Sequence, residues 1–196
     1  HPQLDHYGGL RGVAERYKIG AFIASGVSVP APSFSALLSE LEKNGVKRIV
    51  LRSGDRIRYG ESVIDVLNPT SEIVAAAKDL NDVSLVFSVR SKNASAIFTG
   101  DIGGAVEEIA GEKISRPTDV LKVAHHGSKF SSSVSFLRSA NPKIAVIEVG
   151  KNSYGHPTKE ALARLKAAGA LVFRTDRDGT VKITSDGNKI KVKKNF

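Results

Sequence analysis

The chain has 196 residues, a formal net charge of +9, and neither cysteine nor methionine. Its length suits one domain with enough core to fold alone, and the absence of cysteine excludes disulfide partners, iron–sulfur clusters and thiol nucleophiles. No apolar run is long enough to span a membrane. The positive charge indicates a polyanionic partner, either nucleic acid or an anionic membrane surface, with a generally basic surface as the alternative.

The hydrophobic pattern predicts short strands that alternate with helices. In the first half, a helix is expected at 31–44, and strands are expected at 46–51, 55–66 (in two pieces), 81–89 and 94–99. In the second half, helices are expected at 104–110, 133–140 and 158–168, and strands at 120–123, 144–149, 170–174, 180–184 and 189–192. No linker divides the sequence, so a single α/β domain over residues 1–196 is predicted.

The five histidines carry the clearest chemical signal. They lie in three short segments rich in glycine, proline or small polar residues: HPQLDHYGG (1–9), AHHGS (124–128) and YGHP (154–157). A structural histidine is usually solitary, so three clusters that use the entire histidine supply predict a metal site. In a chain without cysteine the ligands are imidazole and carboxylate groups, which suit Zn²⁺, Mn²⁺ or Fe²⁺.

A carboxylate is needed to balance the charge of such a metal. Asp101 is the best candidate because it directly follows an apolar strand, and a cap for the helix that comes next is its alternative role. The opening segment adds two histidines and an aspartate within six residues. The candidate ligands are therefore His1, Asp5, His6, Asp101 and one of the adjacent pair His125 and His126.

Several segments resemble known proteins. HPQLDHYGG resembles the His-x-His-x-Asp-His signature of the metallo-β-lactamase superfamily, and TGD (99–101) resembles its later acidic-ligand motif. More narrowly, residues 1 to about 192 resemble the C-terminal hydrolase domain of ComEC-type competence DNA-uptake proteins. The segments that carry this resemblance are LNDVSLVF (80–87), FTGD (98–101), DVLKVAHHGSKFSSS (119–133), NSYGHP (152–157) and TDRDGTVKITSDG (175–187).

The resemblance implies an α/β fold, the metallo-β-lactamase-like αββα sandwich, here lacking its N-terminal strands. Superfamily members have strands before the histidine signature, whereas this chain begins within it. The absence of methionine likewise indicates that the start is missing. We therefore expect an N-terminally truncated domain with an exposed sheet edge or a poorly ordered region around residues 1–10.

Two departures from the family pattern weaken one half of the metal site. Gln3 stands where the superfamily has its middle histidine, and no histidine occurs between His6 and Asp101, where many relatives supply a further ligand. The resemblance therefore implies one or two divalent ions, zinc or manganese. The expected ligands are Asp5, His6, Asp101 and His126 (or His125) for a firm ion, and His1 for a weaker second ion.

The function implied by the resemblance is metal-assisted hydrolysis of a phosphodiester by a nuclease that acts on DNA during uptake. The expected catalytic residues are Asp5, Asp101, His125 and His156. The expected substrate-binding residues are Ser128, Lys129, Asn152 and Tyr154, of which Tyr154 could stack a base.

The same resemblance implies single-stranded DNA as partner and attachment to a membrane DNA-uptake channel. The domain would then lie on the extracytoplasmic side of the membrane, with a secreted or soluble protein as the alternative. Two other functions stay open. One is a small-molecule metallohydrolase of the phosphodiesterase or phosphorylcholine esterase type. The other is a non-catalytic DNA-binding module with a degraded metal site, for which Gln3 is the argument.

Overall fold

The structure, a computed structural model, describes residues 1–195. Its strands are β1 Ala21–Ala24, β2 Lys47–Val50, β3 Arg56–Tyr59, β4 Ser62–Asn68, β5 Val86–Ser91, β6 Ala94–Phe98, β7 Val120–Lys122, β8 Ile144–Ile147, β9 Leu171–Arg174, β10 Thr180–Ser185 and β11 Ile190–Asn195. Its α-helices are α1 Leu4–Tyr7, α2 Leu10–Arg16, α3 Pro32–Lys43, α4 Ser71–Ala76, α5 Gly104–Gly111, α6 Val134–Ala140, α7 Lys159–Ala167 and α8 Thr175–Asp178. Short 3₁₀ turns lie at Leu80–Val83 and Ala124–Gly127.

A seven-stranded sheet with the order β3-β4-β5-β6-β7-β8-β9 forms the centre of the fold. Strands β3 to β6 are antiparallel neighbours, whereas β6 to β9 are parallel neighbours. Parallel neighbours need crossover connections, and helices α5, α6 and α7 lie in those connections. Because the parallel strands share one direction, the loops that follow β6, β7 and β8 meet at one edge of the sheet.

The main hydrophobic core joins this sheet to helices α5, α6 and α7. Leu121, Ala145 and Ile147 on the central strands β7 and β8 are all 0% exposed. Phe136 on α6 is the largest of the fully buried side chains, at 1% exposure, and burying a side chain of this size contributes about 1.5–3 kcal/mol. The edge of the sheet that carries the loops is therefore built on the most tightly buried part of the molecule.

A second, smaller core anchors the start of the chain. Tyr7 at the end of α1 packs on Phe34 of α3 with their ring centroids 4.9 Å apart, and its hydroxyl lies 2.7 Å from Ser33 Oγ. Helix α3 connects β1 to β2, which pair in parallel as a separate two-stranded sheet. Because a four-residue helix is not stable alone, this packing is what holds α1 in place.

Most predicted elements are present, with boundaries shifted by a few residues. The strand predicted at 81–89 begins only at Val86, because Asp79 Oδ1 accepts a hydrogen bond from the Asn81 N–H at 2.9 Å and opens a 3₁₀ turn there. Residues 1–10 hold helix α1 and the first residue of α2 rather than the expected sheet edge. Among the described strands, β1 and β2 pair only with each other, so both are edge strands.

The remaining differences are short elements that the sequence did not predict: α1, α2, β1, α4 and α8. Each has seven residues or fewer, too few to establish a hydrophobic period. Within residues 1–195, no helix combines the length and the apolar character that crossing a membrane requires.

Candidate metal centre

Four side chains from three distant parts of the chain converge at one edge of the sheet. Asp5 and His6 lie on α1, Asp101 lies in the loop after β6, and His126 lies in the turn after β7. Their ligand atoms all lie within 4.8 Å of one another. Asp101 Oδ2 is 3.1 Å from His6 Nε2 and 3.4 Å from His126 Nε2. Asp5 Oδ2 also lies 3.4 Å from His126 Nε2. We call these four residues the ligand cluster.

The loop after β6 holds Asp101 in a buried position, only 1% exposed. Thr99 Oγ1 donates a hydrogen bond to the Lys122 carbonyl at 2.7 Å, which joins the ends of β6 and β7. Gly100 has a φ of 53°, which glycine adopts without strain, and a Cβ at this position would lie 2.6 Å from Ser84 Cβ. Both backbone conformation and space therefore require the glycine that turns the Asp101 carboxylate towards the two histidines.

A strained turn presents His126. His125 and His126 have φ values of 47° and 52°, in the left-handed region that costs a non-glycine residue about 1–3 kcal/mol. The surroundings hold this turn, since the His125 N–H donates to the Gly100 carbonyl at 3.2 Å. A Cβ on Gly127 would lie 2.6 Å from Pro157 Cβ, so the chain closes tightly there. Backbone strain that is held in this way is typical of functional sites.

The second nitrogen of His126 sets the direction of the first. His126 Nδ1 donates a hydrogen bond to the Glu148 carbonyl at 2.6 Å, which leaves Nε2 facing the ligand cluster, as in histidines that bind metals. Within residues 1–195, the buried Nε2 atoms of His6 and His126 make no well-formed hydrogen bond. Because buried polar atoms are rarely left without one, two imidazoles and two carboxylates that converge on one point fit a divalent cation such as Zn²⁺ or Mn²⁺.

The electrostatics of the cluster keep Asp101 ionised. Burial disfavours its charge, but the contacts with His126 and His6 and the Lys122 ammonium outweigh burial and hold the pKa of Asp101 far below its ordinary value. The contact with Asp101 in turn raises the pKa of His126 against the opposing effect of burial. A metal ion must displace the proton that this raised pKa favours, so metal binding is coupled to proton release.

Lys122 belongs to this site, although the sequence interpretation did not single it out. Its Nζ lies 3.7 Å from Asp101 Oδ1, and its side chain is only 11% exposed. The ammonium also donates to the Gly100 carbonyl at 3.4 Å. The sequence feature that could have identified it is a lysine within the short apolar strand Val120–Lys122. Since lysine is almost never buried without a partner, a lysine in such a strand indicates a nearby negative charge.

His1 lies beside the ligand cluster but in a different hydrogen-bond network. Its ring centroid is 4.1 Å from that of His6. The Asp101 N–H donates to Ser84 Oγ at 3.1 Å, Ser84 Oγ lies 3.0 Å from His1 Nδ1, and His1 Nε2 lies 3.0 Å from Gln3 Oε1. Because an amide oxygen only accepts, His1 Nε2 is a donor. The structure thus brings four of the five predicted metal ligands together and places the fifth next to them.

His125 and His156 form a second pair of imidazoles beside the cluster, with ring centroids 5.6 Å apart. The His125 ring lies 6.4 Å from that of His126. Burial, followed by the charges of His125 and His126, lowers the pKa of His156 and so favours its neutral form. Tyr154, which is 81% exposed, stacks on His156 at 5.9 Å and offers a flat ring to solvent.

Two of the predicted substrate-binding residues have their polar groups bonded within the chain. Asn152 Oδ1 accepts from two backbone N–H groups of its own loop at 3.1 and 3.0 Å. Ser128 is 3% exposed, and its Oγ accepts from the Phe130 N–H at 3.3 Å. Lys129, in contrast, is exposed, and its ammonium lies 5.0 Å from the ring of Phe130. Of these residues, Lys129 has the group that a substrate can reach.

Two further residues hold the loop 128–133 next to the site, and the sequence interpretation missed both. Arg164 on α7 donates to three backbone carbonyls of this loop at 2.8, 2.7 and 2.8 Å. Glu107 on α5 is 0% exposed and accepts two backbone N–H groups of the loop at 2.5 and 2.7 Å. Burial raises the pKa of Glu107. No motif marks these residues, because their partners lie about 25 to 35 residues away.

Comparisons with known proteins agree with this geometry. The family model of the metallo-beta-lactamase superfamily matches residues 1–150. The chain is 31% identical over 183 residues to ComE operon protein 3 of Bacillus subtilis (strain 168), a match that covers 92% of this chain and 23% of the relative. It is 37% identical over 106 residues to Competence protein ComA of Neisseria gonorrhoeae, covering 53% of this chain and 15% of that relative. The chain therefore spans less than a quarter of the length of either relative.

Among solved structures, CmlA, a diiron beta-hydroxylase from Streptomyces venezuelae, matches with a TM-score of 0.59 at 12% identity. The match covers 90% of this chain and 42% of that chain. At this identity the likeness concerns the fold alone, and it confirms the predicted fold class. The family and the ligand cluster together support a metal-dependent hydrolase. The chain belongs to the metallo-β-lactamase superfamily and, within it, is similar to the ComEC-type competence proteins.

Proposed function

We propose that the protein is a metal-dependent nuclease that hydrolyses phosphodiester bonds of single-stranded DNA. The observation that carries the proposal is the ligand cluster, in which Asp5, His6, Asp101 and His126 bring their ligand atoms within 4.8 Å of one another. A divalent cation held there would make a water molecule more acidic and polarise a phosphoryl oxygen.

The residues of the chain supply the proton transfers and the contacts with phosphate. Asp5 is the more exposed carboxylate of the cluster, with 60% of its side chain accessible, and in the proposal it accepts a proton from the attacking water. The His125 ring lies 6.4 Å from that of His126 and 5.6 Å from that of His156. In the proposal His125 gives a proton to the leaving oxygen, and His156, whose lowered pKa favours its neutral form, donates a ring N–H to the scissile phosphate.

The surface near the site suits an unpaired nucleic acid strand. Tyr154 is 81% exposed and Phe130 is 73% exposed. Exposed aromatic rings beside a cationic site favour single strands, whose bases are free to stack. On the separate β10–β11 sheet, the exposed Lys182 lies directly opposite the exposed Lys193. Like charges in such pairs repel each other, and a polyanion relieves that repulsion.

The relatives suggest the biological setting. One of them is named as a competence protein, and we propose that this chain degrades one DNA strand during uptake. In this proposal the chain is a single domain of a longer protein that is attached to a membrane channel, and it lies on the extracytoplasmic side. Zinc and manganese are the proposed metal ions, since the donor set of two imidazoles and two carboxylates accepts both.

A cleavage assay tests the proposal. The protein is incubated with end-labelled single-stranded DNA in the presence of Mn²⁺ or Zn²⁺, and also with a small phosphodiester, a phosphorylcholine ester and a lactone. We expect metal-dependent cleavage of DNA and a loss of about 10³-fold or more in Asp101→Ala, with Glu108→Ala on the exposed face of α5 as the matched control.

Two results would contradict the proposed nuclease activity. Turnover of the small substrates without DNA cleavage would indicate a small-molecule metallohydrolase. DNA binding that survives chelation, with no cleavage under either metal, would indicate a non-catalytic binding module. Cleavage by Asp101→Ala at the wild-type rate would contradict the mechanism itself.

A further inference from the structure

The two oxygens of the Asp101 carboxylate face different groups. Oδ2 lies 3.1 Å from His6 Nε2 and 3.4 Å from His126 Nε2, so it is directed into the ligand cluster. Oδ1 lies 3.7 Å from the ammonium of Lys122. In a two-metal site a carboxylate between the ions is shared by both of them. Here the chain itself places a cation on the side of Asp101 that a second ion would use.

The nearest further imidazole, His1, has both ring nitrogens in use. Its Nδ1 lies 3.0 Å from Ser84 Oγ, and its Nε2 lies 3.0 Å from Gln3 Oε1. The Ser84 hydroxyl oxygen already accepts the Asp101 N–H at 3.1 Å, so its own proton is available to His1 Nδ1. Every donor in this chain of bonds has an acceptor, and in this arrangement the lone pair of His1 Nδ1 faces the Ser84 hydroxyl.

The balance of charge points the same way. The ligand cluster contains two carboxylates, those of Asp5 and Asp101, and their charge equals that of one divalent cation. With one divalent cation bound, the Lys122 ammonium gives the site a net charge of one positive unit. This matches the single negative charge of a phosphodiester. A second divalent cation would lie against this ammonium, and repulsion between charges a few ångströms apart is large when the site is shielded from water.

We propose that the protein binds one divalent cation in the ligand cluster and that the Lys122 ammonium takes the place of a second cation. Lys122 is a positioning residue for Asp101: its ammonium attracts Oδ1 from 3.7 Å, so that Oδ2 stays directed at His6 and His126. Its charge also adds to the attraction for the phosphate of the substrate. This inference rests on the metal-dependent hydrolase of the proposed function, but counting the bound metal does not require DNA cleavage.

Metal stoichiometry tests the proposal that the protein binds one cation per chain. The protein is dialysed to equilibrium against rising concentrations of Mn²⁺ and, separately, Zn²⁺, and the bound metal per chain is measured by atomic emission. We expect saturation at one ion per chain, an unchanged value in His1→Ala, and an electron paramagnetic resonance spectrum of an isolated Mn²⁺. Two ions per chain with an exchange-coupled spectrum, reduced to one ion in His1→Ala, would overturn the proposal.

Substitution of Lys122 tests the proposal that its ammonium takes the place of a second cation. In Lys122→Met we expect one or more bound ions per chain and a fall of about 10²–10³-fold in the rate of phosphodiester cleavage. Lys122→Arg keeps the charge and should recover part of the rate. Lys166→Met, an exposed lysine on α7, is the matched control, and circular dichroism checks the fold. A Lys122→Met protein that cleaves at the wild-type rate would overturn the role of Lys122, whatever its metal content.

Discussion

The Glu148 carbonyl accepts a hydrogen bond from His126 Nδ1 at 2.6 Å. This bond joins the end of β8 to the turn after β7, and it directs the other nitrogen of the same ring at Asp101. Within residues 1–195, the ring of the neighbouring His125 makes no such hydrogen bond, and it lies beside His156 with ring centroids 5.6 Å apart. Two adjacent histidines thus point in different directions, and the predictions for them differ.

We expect His126→Ala to lose metal binding and His125→Ala to keep it. Removing an imidazole ligand should weaken metal affinity by at least about 10–100-fold, the effect already seen for the loss of an outer-shell partner. Calorimetric titration with Zn²⁺ measures this directly. The His125→Ala protein should bind the metal with wild-type affinity and still cleave DNA more slowly. Equal affinities in the two variants would show that the ligand assignment is wrong.

Substitution of Gly100 by alanine should disturb the site without touching a ligand. The position has a φ of 53°, and a Cβ there would lie 2.6 Å from Ser84 Cβ. Left-handed backbone and overlap together cost about 1–3 kcal/mol of folding free energy, which urea denaturation measures. Because Asp101 follows directly, metal affinity should fall as well. Gly54→Ala, also at positive φ but with open space around it, should show the backbone cost alone.

Arg164 should affect catalysis through the loop 128–133. Its three hydrogen bonds to carbonyls of that loop are lost in Arg164→Leu, which we expect to cost about 2–4 kcal/mol of stability. The rate of DNA cleavage should fall, whereas metal affinity should stay close to that of the wild type, because none of the ligand cluster lies in the loop. A variant with normal stability and a normal rate would contradict this role.

Asp178 should make the stability of the fold depend on pH. Hydrogen bonds from the Arg174 N–H, the Arg177 guanidinium and the Lys194 ammonium lower the pKa of Asp178 to about 2. A carboxyl group whose pKa is lower in the folded state stabilises the fold above its unfolded pKa of about 4. That contribution is lost as the pH falls from about 4 through about 2. Asp178→Asn should therefore be less stable than the wild type at pH 6, and the difference should disappear near pH 2 in denaturation curves.

Tyr154 should contribute to the affinity for single-stranded DNA but not to the hydrolysis of small substrates. Stacking of a base on an aromatic ring contributes about 1–3 kcal/mol, so Tyr154→Ala should weaken binding of single-stranded DNA by about 5- to 150-fold. Tyr154→Phe keeps the ring and is the matched control. Hydrolysis of a small phosphodiester should be unchanged in both. Fluorescence anisotropy with a labelled oligonucleotide gives the affinities, and equal affinity of Tyr154→Ala and the wild type would exclude stacking at this residue.

The sequence predicts the centre of the fold better than its margins. The strands at 94–98, 120–122 and 144–147 are short apolar runs with glycine or histidine within the next three residues. Their hydrophobic pattern is recognisable in the sequence because they lie in the middle of the sheet. Helix α1 shows the opposite case: its four residues have no helical period, and it forms because Tyr7 packs on Phe34. Such contacts between distant residues leave no local pattern.

The same limit applies to the site. Asp101 and His126 could be identified because each stands in a recognisable segment at a strand end. Lys122 gave only the weaker signal of a lysine in an apolar strand, because its role depends on a distance of 3.7 Å to Asp101 Oδ1 that spacing does not reveal. His1 stands in the predicted motif, yet its ring nitrogens lie within hydrogen-bond distance of Ser84 and Gln3. Residue types and order indicate the chemistry, and only packing decides which side chains face one another.

The ligand cluster also connects the two hydrophobic cores. His6 lies on α1, next to Tyr7 in the smaller core, whereas Asp101 and His126 rest on the main sheet. A cation held by these residues would link the two cores, because moving the amino-terminal part away from the sheet would break its coordination. Binding at 100 times the dissociation constant adds about 2.7 kcal/mol to the folded state. Hydrogen exchange in α1 and α3 should therefore slow when the metal binds, so the cation would join two halves of the protein as well as serve its chemistry.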